Sequence, residues 1–164
     1  SLRGAVKEQV VGTLKDTTDI ATVGMDAVSS IVVEAVKSAD EVGSSVADVA
    51  RNAVTGAITG VSEVGGDVLV ATHRVAGGTI KAAADVGGDL GSVAVSSVEG
   101  AVEAAGEVGV STSDAAAEAA VGAIQAADAV GSEAGSVVRK ALLSAASLPR
   151  DVIEAAIKGS EPEK

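Results

Sequence analysis

The stretch EVGSSVADVARNAVTGAITGVS, residues 41–62, is followed directly by EVGGDVLVATHRVAGGTIKAAA, residues 63–84, and both follow one 22-residue pattern. Each unit begins with an acid, Val and Gly, and its second half contains Gly-x-Ile or Gly-x-Val. The first landmark recurs as Val42-Gly43, Val64-Gly65, Val86-Gly87 and Val108-Gly109. The second recurs as Gly56-Ala57-Ile58, Gly78-Thr79-Ile80, Gly100-Ala101-Val102 and Gly122-Ala123-Ile124. Two landmarks with one period establish an internal repeat, whose register covers most of the chain.

The composition restricts how this chain can build a core. Its 164 residues include no aromatic residue and a single Met, so the apolar residues are nearly all Ala, Val, Ile and Leu. Small side chains bury little area each, which favours burial along a long contact or burial shared between chains. Without Cys, the chain has no disulfide framework, thiolate metal site or thiol nucleophile. The net charge of -11 leaves no basic face for a nucleic-acid backbone, so nucleic acid is not an expected partner.

The spacing of the apolar residues predicts an all-α fold. A 22-residue unit is two elevens, and eleven residues in three turns give about 3.67 residues per turn, the period of a right-handed supercoil. At this spacing the apolar residues form one arc that is wider than a two-stranded seam. We therefore expect a long right-handed hendecad coiled-coil helix over residues 1–147, assembled into a multi-helix bundle or tube. An unbroken helix from Leu2 to Ala146 would be about 200 Å long.

A helical-hairpin array is the alternative fold, since Gly65-Gly66, Gly77-Gly78 and Gly87-Gly88 could each turn the chain. Against it, no Pro precedes Pro149, no Asn-Gly or Asp-Gly turn is present, and the three-turn register continues through the glycines. Glycines also have a use inside a helix, because small residues let helix backbones approach closely. The segments that fit this use are Gly56-x-x-x-Gly60, Gly87-x-x-x-Gly91 and Gly131-x-x-x-Gly135.

The apolar arc of the repeat defines the predicted self-association face of a homo-oligomer with four or more helices. Its residues are Val42, Gly43, Val46, Val54, Ala57, Ile58, Val64, Val68, Ile80, Val86, Leu90, Val98, Val102, Val108, Ile124 and Val130. Acids and most other polar residues fall on the opposite arc and are expected to face water.

The end of the chain departs from the repeat. Ser147-Leu148-Pro149 indicates a helix stop and a new start, with Ser147 as N-cap and Pro149 in the first turn. We expect a short amphipathic helix over residues 148–159 and a disordered tail over residues 160–164. The apolar side of this helix would dock onto a partner in a larger complex or cap the assembly; it consists of Leu148, Val152, Ile153 and Ile157.

No group of residues predicts catalysis, a metal site or a cofactor. His73 is the single histidine, and the linear pattern brings no nucleophile and acid to it, so we interpret it as solvated. The acids that open the units are Asp19, Glu41, Glu63, Asp85 and Glu107. Along one helix they would stand about 33 Å apart, too far to share an ion or a proton. Gly87-Gly88-x-x-Gly91 lacks the strand and the Lys of a phosphate-binding loop. The sequence therefore predicts a non-enzymatic protein.

Charged residues interrupt every apolar run well before the roughly 18 residues that a membrane-spanning helix needs. The first eight residues are charged too early to contain the apolar segment of a secretory signal. We therefore expect a protein that is cytoplasmic or peripheral to a membrane, and not membrane-spanning.

The segment AVTGAITGV, residues 53–61, with its Val-Gly-Ala-Thr composition at an eleven-residue period, resembles the amphipathic helices of synucleins, perilipins and some phasins. Those families coat lipid or polymer surfaces. Such helices usually carry Lys beside the apolar sector to meet anionic headgroups, whereas this chain is acidic. The resemblance implies a coat protein of a lipid droplet, polymer granule or neutral membrane surface.

The long small-residue helix is also similar in architecture to helical stalk or tube scaffold subunits, such as that of mycobacterial-type uptake hydrogenases, which is thought to enclose a hydrophobic passage for quinone. This similarity implies a structural scaffold or stalk that self-assembles around an apolar, small-residue interior. Four or more helices around a lumen would enclose a lipophilic molecule such as a lipid or quinone. The sequence favours this scaffold, and the surface coat is the alternative.

Overall fold

The computed structural model describes residues 1–41 and 43–161 of the chain. This part contains eight α-helices, with a π-helical turn, Ile20–Gly24, before the second helix, and it contains no strand. The helices are α1 (Leu2–Lys15), α2 (Met25–Glu41), α3 (Val46–Glu63), α4 (Val68–Asp85), α5 (Leu90–Val108), α6 (Thr112–Val130), α7 (Ser132–Ser144) and α8 (Arg150–Ser160). The predicted all-α fold is confirmed for the described residues.

The first landmark of the repeat ends a helix. Gly43, Gly65, Gly87 and Gly109 have φ angles from 71° to 82°, in the left-handed region that glycine adopts without a Cβ penalty. In each turn the N–H of the following residue donates to the carbonyl five residues earlier, over 2.8–3.0 Å. The four bonds are Ser44 to Ala39, Gly66 to Val61, Gly88 to Ala83 and Val110 to Ala105. This bond closes the helix end and turns the chain.

The next helix then starts from a polar cap two residues after the turn glycine. Ser45, Asp67, Asp89 and Ser111 each accept a hydrogen bond from the N–H three residues ahead. Each unit is therefore a helix of 18 or 19 residues plus a short turn. The expected continuous helix of residues 1–147 is wrong, and the helical-hairpin alternative agrees with the observed chain path.

The helices form two layers. α1, α3, α5 and α7 form one layer, here called the odd layer, and α2, α4, α6 and α8 form the even layer. The most extensive contacts join helices two apart in the chain, and consecutive helices pack across the layers. The helices that neighbour one another within a layer run parallel, since Gly122 lies against His73 and Ala126 lies against Gly77.

Within the repeat region, helices two apart in the chain are shifted by the same amount. Close contacts pair Gly78 with Ser29, Gly100 with Arg51 and Gly122 with His73, each 49 residues apart. Two repeats account for only 44 of those residues. Equivalent positions in α2, α4 and α6, and in α3 and α5, are therefore displaced by five residues, or about 7.5 Å along the helix axis.

The core between the layers consists largely of Ala and Val, with a few larger fully buried side chains: Leu14, Met25, Ile58, Ile80, Ile124, Leu142 and Ile153. The buried polar residues of the described chain are Thr55, Thr59, Thr72, Thr79 and Ser97. Every one of their hydroxyl groups has a hydrogen-bond partner in the same chain. One chain therefore buries these side chains by itself, without the second chain that the small-residue composition led us to expect.

The last helix packs on α6 of its own chain. Leu148 and Ile153 are 7% and 0% exposed, while Val152 and Ile157 pack half-buried against the same core. The expected N-cap role of Ser147 is wrong, because α8 begins at Arg150 with Pro149 in the cap position and no side-chain cap. The apolar side predicted for docking thus caps the stack. Of the tail expected over residues 160–164, residues 162–164 lie outside the described part.

None of the helices in the described ranges combines the length and the apolar character needed to cross a bilayer.

Candidate binding groove

Two adjacent glycines let α4 approach both of its neighbours in the even layer. A Cβ on Gly78 would lie 3.2 Å from the Ser29 hydroxyl of α2. A Cβ on Gly77 would lie 3.4 Å from the Gly122 carbonyl oxygen of α6. The approach of α6 to α4 at Gly122 is closer still, because the His73 carbonyl oxygen occupies the space in which a Cβ of Gly122 would lie. These glycines form the floor of a groove along α4.

The groove has a volume of about 570 Å³ and is open to solvent. Its lining residues on α4 include His73, Arg74 and Lys81, and α6 contributes Gln125, Ala126, Ala129 and Val130. No Asp or Glu belongs to the lining formed by the described residues, although the chain has 23 acids and 12 bases. The groove therefore combines apolar walls with the opposite charge sign to most of the surface. We call it the even-layer groove.

Arg74 and His73 already have partners next to the groove. The Arg74 guanidinium forms an ion pair with Asp26 of α2. His73 Nε2 lies 3.0 Å from Gln125 Oε1, and Nδ1 lies 3.4 Å from Glu118 Oε2. The His73 side chain is 32% exposed, so it is partly solvated, and it also joins α4 to α6.

Lys81 differs from these residues. It is exposed on α4, and no carboxylate of the described side chains lies within 4.0 Å of its ammonium group. The ammonium group of Lys81 is thus a cation at the groove that forms no ion pair with the described side chains.

A second groove, of about 490 Å³, lies over α3 in the odd layer. Arg3 of α1 reaches across it to pair with Glu103 and Glu107 of α5. Its lining includes two carboxylates, Glu63 and Glu107. Intramolecular ion pairs of Arg3 therefore cross the odd-layer groove. At the even-layer groove, the Arg74–Asp26 ion pair joins only the neighbouring helices α4 and α2.

Four of the acids that open the units, Asp19, Glu63, Asp85 and Glu107, each have a partner among the described residues, and the side chain of Glu41 lies outside them. Glu63 pairs with Lys7, Asp85 with Lys37, and Glu107 with Arg3, in each case joining an exposed acid to an earlier helix of the same layer. Asp19 instead accepts a hydrogen bond from the Thr22 N–H at the π-helical turn. These acids serve as surface links between helices, and the described residues include no cluster of three potential metal ligands.

One further ion pair links α6 to α7. Arg139 donates two hydrogen bonds to the Asp128 carboxylate, at 2.7 and 2.9 Å. These bonds lower the pKa of Asp128 below its ordinary value of 3.8. At a different site, the Ser92 N–H donates to Asp89 and lowers the pKa of that N-cap carboxylate. Both shifts arise from structural contacts of the helices.

The predicted self-association face is distributed over several environments of one chain. Its members in the chain's own core are Val54, Ala57, Ile58, Val68, Ile80, Val98 and Ile124. Its half-buried members packed on that core are Val46, Val64, Leu90, Val102 and Val108. Val86 is half-buried and Gly43 exposed, at the turns, and Val130 is 52% exposed at the end of α6. Val42 lies outside the described residues.

Arg74, Lys81 and Gln125 were not predicted as site residues. At the 22-residue period, the positions equivalent to Lys81 are Lys15, Lys37, Thr59, Glu103 and Gln125. Because bases, neutral residues and an acid all occur at this position, the repeat gives no signal that sets Lys81 apart.

Comparison with models of protein families gives no match, and a search of curated proteins gives none either.

Proposed function

We propose that this chain is a non-enzymatic structural scaffold, built by the stacking of its own repeated helices. The observation that supports the proposal most directly is that three structural features recur at equivalent positions of the repeat. Each unit has a left-handed turn glycine, a polar N-cap and a glycine at the closest approach of two helices. Most of the repeat pattern is thereby accounted for by construction of the stack, as in other repeat proteins.

The interior of the proposed scaffold consists of small apolar side chains between the two layers of a single chain. Buried side chains such as Ala76, Ala83 and Ala104 occupy it. The outer faces of the two layers are then the surfaces available to other components. We propose that these faces, and not a lumen between chains, carry the contacts of the scaffold.

Ion pairs support a stack of fixed geometry. They join helices two apart in both layers, including Lys37 to Asp85 and Arg51 to Glu99 and Glu103. Each such surface pair contributes little, about 0–1 kcal/mol. Their repeated placement nevertheless favours the same register that the glycine contacts require.

The test compares helicity and mass with and without lipid. Circular dichroism should show a helical, cooperatively melting protein in lipid-free buffer, unchanged by a neutral triglyceride emulsion. Sedimentation velocity needs interference optics, because the chain lacks Trp and Tyr. A compact species near 15.7 kDa would support the single-chain stack.

Two results would contradict this proposal in different ways. Low helicity that rises on the emulsion, with co-flotation, would favour the lipid or granule coat. A discrete elongated oligomer would favour the self-assembled bundle.

A pair of variants on α6 tests the core between the layers. Ala123→Glu places a charge in this core and should unfold the stack in buffer. Ala117→Glu on the same helix, at a half-buried position, is the matched control and should be better tolerated.

A further inference from the structure

We infer that the even-layer groove binds a small amphiphile with one carboxylate-type headgroup and an apolar tail. This inference goes beyond a scaffold role, because a stack of helices needs no ligand. It rests on the charge, the size and the register of the groove.

The charge of the lining selects an anion. Lys81 is the one cation of the lining without a described carboxylate partner, and Arg74 lies two helical turns away on the same helix. No acid lines the groove among the described residues, in a chain of net charge -11. An anionic headgroup at Lys81 therefore gains an ion pair without meeting a carboxylate of the lining.

The size of the groove selects a small molecule over a protein segment. From His73 to Lys81 the groove follows eight residues of α4, or about 12 Å. Its volume of about 570 Å³ falls in the range of small-molecule sites, roughly 300–1,000 Å³. A docked helix would need a longer apolar track, whereas one short chain can lie over Gly77, Gly78 and Gly122.

The register of α4 and α6 gives the ligand a direction. With the 49-residue offset, Ala126 stands beside Gly77, and Val130 is level with Lys81. Apolar wall residues Ala126 and Ala129 thus lie between the cation at one end and the His73–Gln125 hydrogen bond at the other. The headgroup is assigned to Lys81, and the tail to the glycine floor beside Ala126 and Ala129.

The experiment titrates the ¹⁵N-labelled protein with sodium decanoate below its micelle concentration and follows amide chemical shifts. Shifts should concentrate on α2, α4 and α6 around the groove. Lys81→Gln should weaken binding by about fivefold, the value of one exposed ion pair. Ala129→Leu should weaken it at least as much, because the larger side chain fills the groove. The control Lys140→Gln changes an exposed lysine on α7 and should leave binding unchanged.

Decanol and vesicles separate the possible sources of binding. Decanol keeps the tail without the charge and should bind about fivefold more weakly than decanoate. Equal binding of decanol, equal binding by the Lys81→Gln variant, or shifts spread over the whole surface would overturn the inference. Flotation with vesicles of anionic phospholipid, without decanoate-induced shifts, would also overturn it, since a flat charged surface and not the groove would then be recognised.

Discussion

The carbonyl oxygen of His73 on α4 occupies the space in which a Cβ of Gly122 on α6 would lie. The same relationship joins Gly56 to the carbonyl of Arg3, and a Cβ on Gly100 would lie 2.7 Å from the carbonyl oxygen of Arg51. Helices of one layer thus meet backbone to backbone at Gly56, Gly100 and Gly122, the glycines of the second landmark.

Replacing Gly122 by Ala should destabilise the fold. The added methyl group meets backbone atoms, which cannot rotate away, so we expect the free energy of unfolding to fall by about 1–3 kcal/mol. Gly106→Ala is the control, since nothing lies within 4 Å of a Cβ there, and Ala should raise the stability of α5 by about 0.5–1 kcal/mol. Urea unfolding followed by circular dichroism measures both. Equal effects of the two changes would refute the close approach.

Gly65→Ala should also destabilise the protein, but for a conformational reason. Gly65 has a φ of +76° and no atom near its Cβ position, so the cost is backbone strain of about 1–2 kcal/mol. Asn tolerates this region better than Ala, so Gly65→Asn should retain more stability. Thermal unfolding of the two variants checks the order, and a less stable Asn variant would contradict the turn assignment.

The buried hydroxyl pair between α4 and α5 predicts a non-additive double mutant. Thr79 donates to the Ala76 carbonyl, and its oxygen lies 2.7 Å from Ser97 Oγ. Thr79→Val alone leaves the Ser97 hydroxyl without this partner, at a cost of about 1–3 kcal/mol. Adding Ser97→Ala should recover part of the loss. Denaturant unfolding of the four proteins gives the coupling, and strict additivity would argue against the hydrogen bond.

Asp128→Asn should destabilise the protein at neutral pH, and the effect should vanish in acid. Because the pKa of Asp128 is lowered in the folded state, the Arg139 pair stabilises the fold above pH 3.8 and this stability is lost as pH falls through the lowered pKa. At neutral pH we expect about 0–1 kcal/mol, since the carboxylate side chain is 41% exposed. Unfolding measured from pH 2 to 7 tests this.

The control for Asp128→Asn is Glu8→Gln, which changes an exposed acid of α1 that forms no ion pair with described side chains. Its effect should be smaller at neutral pH. A difference between wild type and Asp128→Asn that persists at pH 2 would show that the amide disturbs packing and not an ion pair.

The helical class of the fold could be predicted from sequence because apolar residues recur at three and four positions. The positions at which the helices end could not be predicted in the same way. A period of 22 residues fits two hendecads of a continuous helix, and it fits equally well one 18-residue helix with its turn. The turns of the repeat contain neither Pro nor Asn-Gly and are marked by a different pattern. That pattern is a glycine followed two residues later by Ser or Asp, as in Gly65-Gly66-Asp67 and Gly87-Gly88-Asp89.

Glycine contacts were predictable only in part. Close packing at Gly56 and Gly60 is confirmed, because a Cβ at either position would meet backbone oxygens of α1. Gly87, by contrast, forms a turn. The groove was not predictable, since its lining depends on the five-residue shift between neighbouring helices of the even layer. A simple two-repeat alignment would have placed Lys81 beside Gln125, whereas the observed register places it level with Val130.

The two-layer packing keeps the contacts of each helix close together in the sequence. Across the described helices, packing contacts join only those one or two positions apart, so a trio can form without closing a long loop, and later helices can add to it. Arg3 is different, because its pairs with Glu103 and Glu107 span 100 and 104 residues. They require α1, α3 and α5 to be stacked first. The bridge made by Arg3 therefore reports that these three helices of the odd layer are packed together.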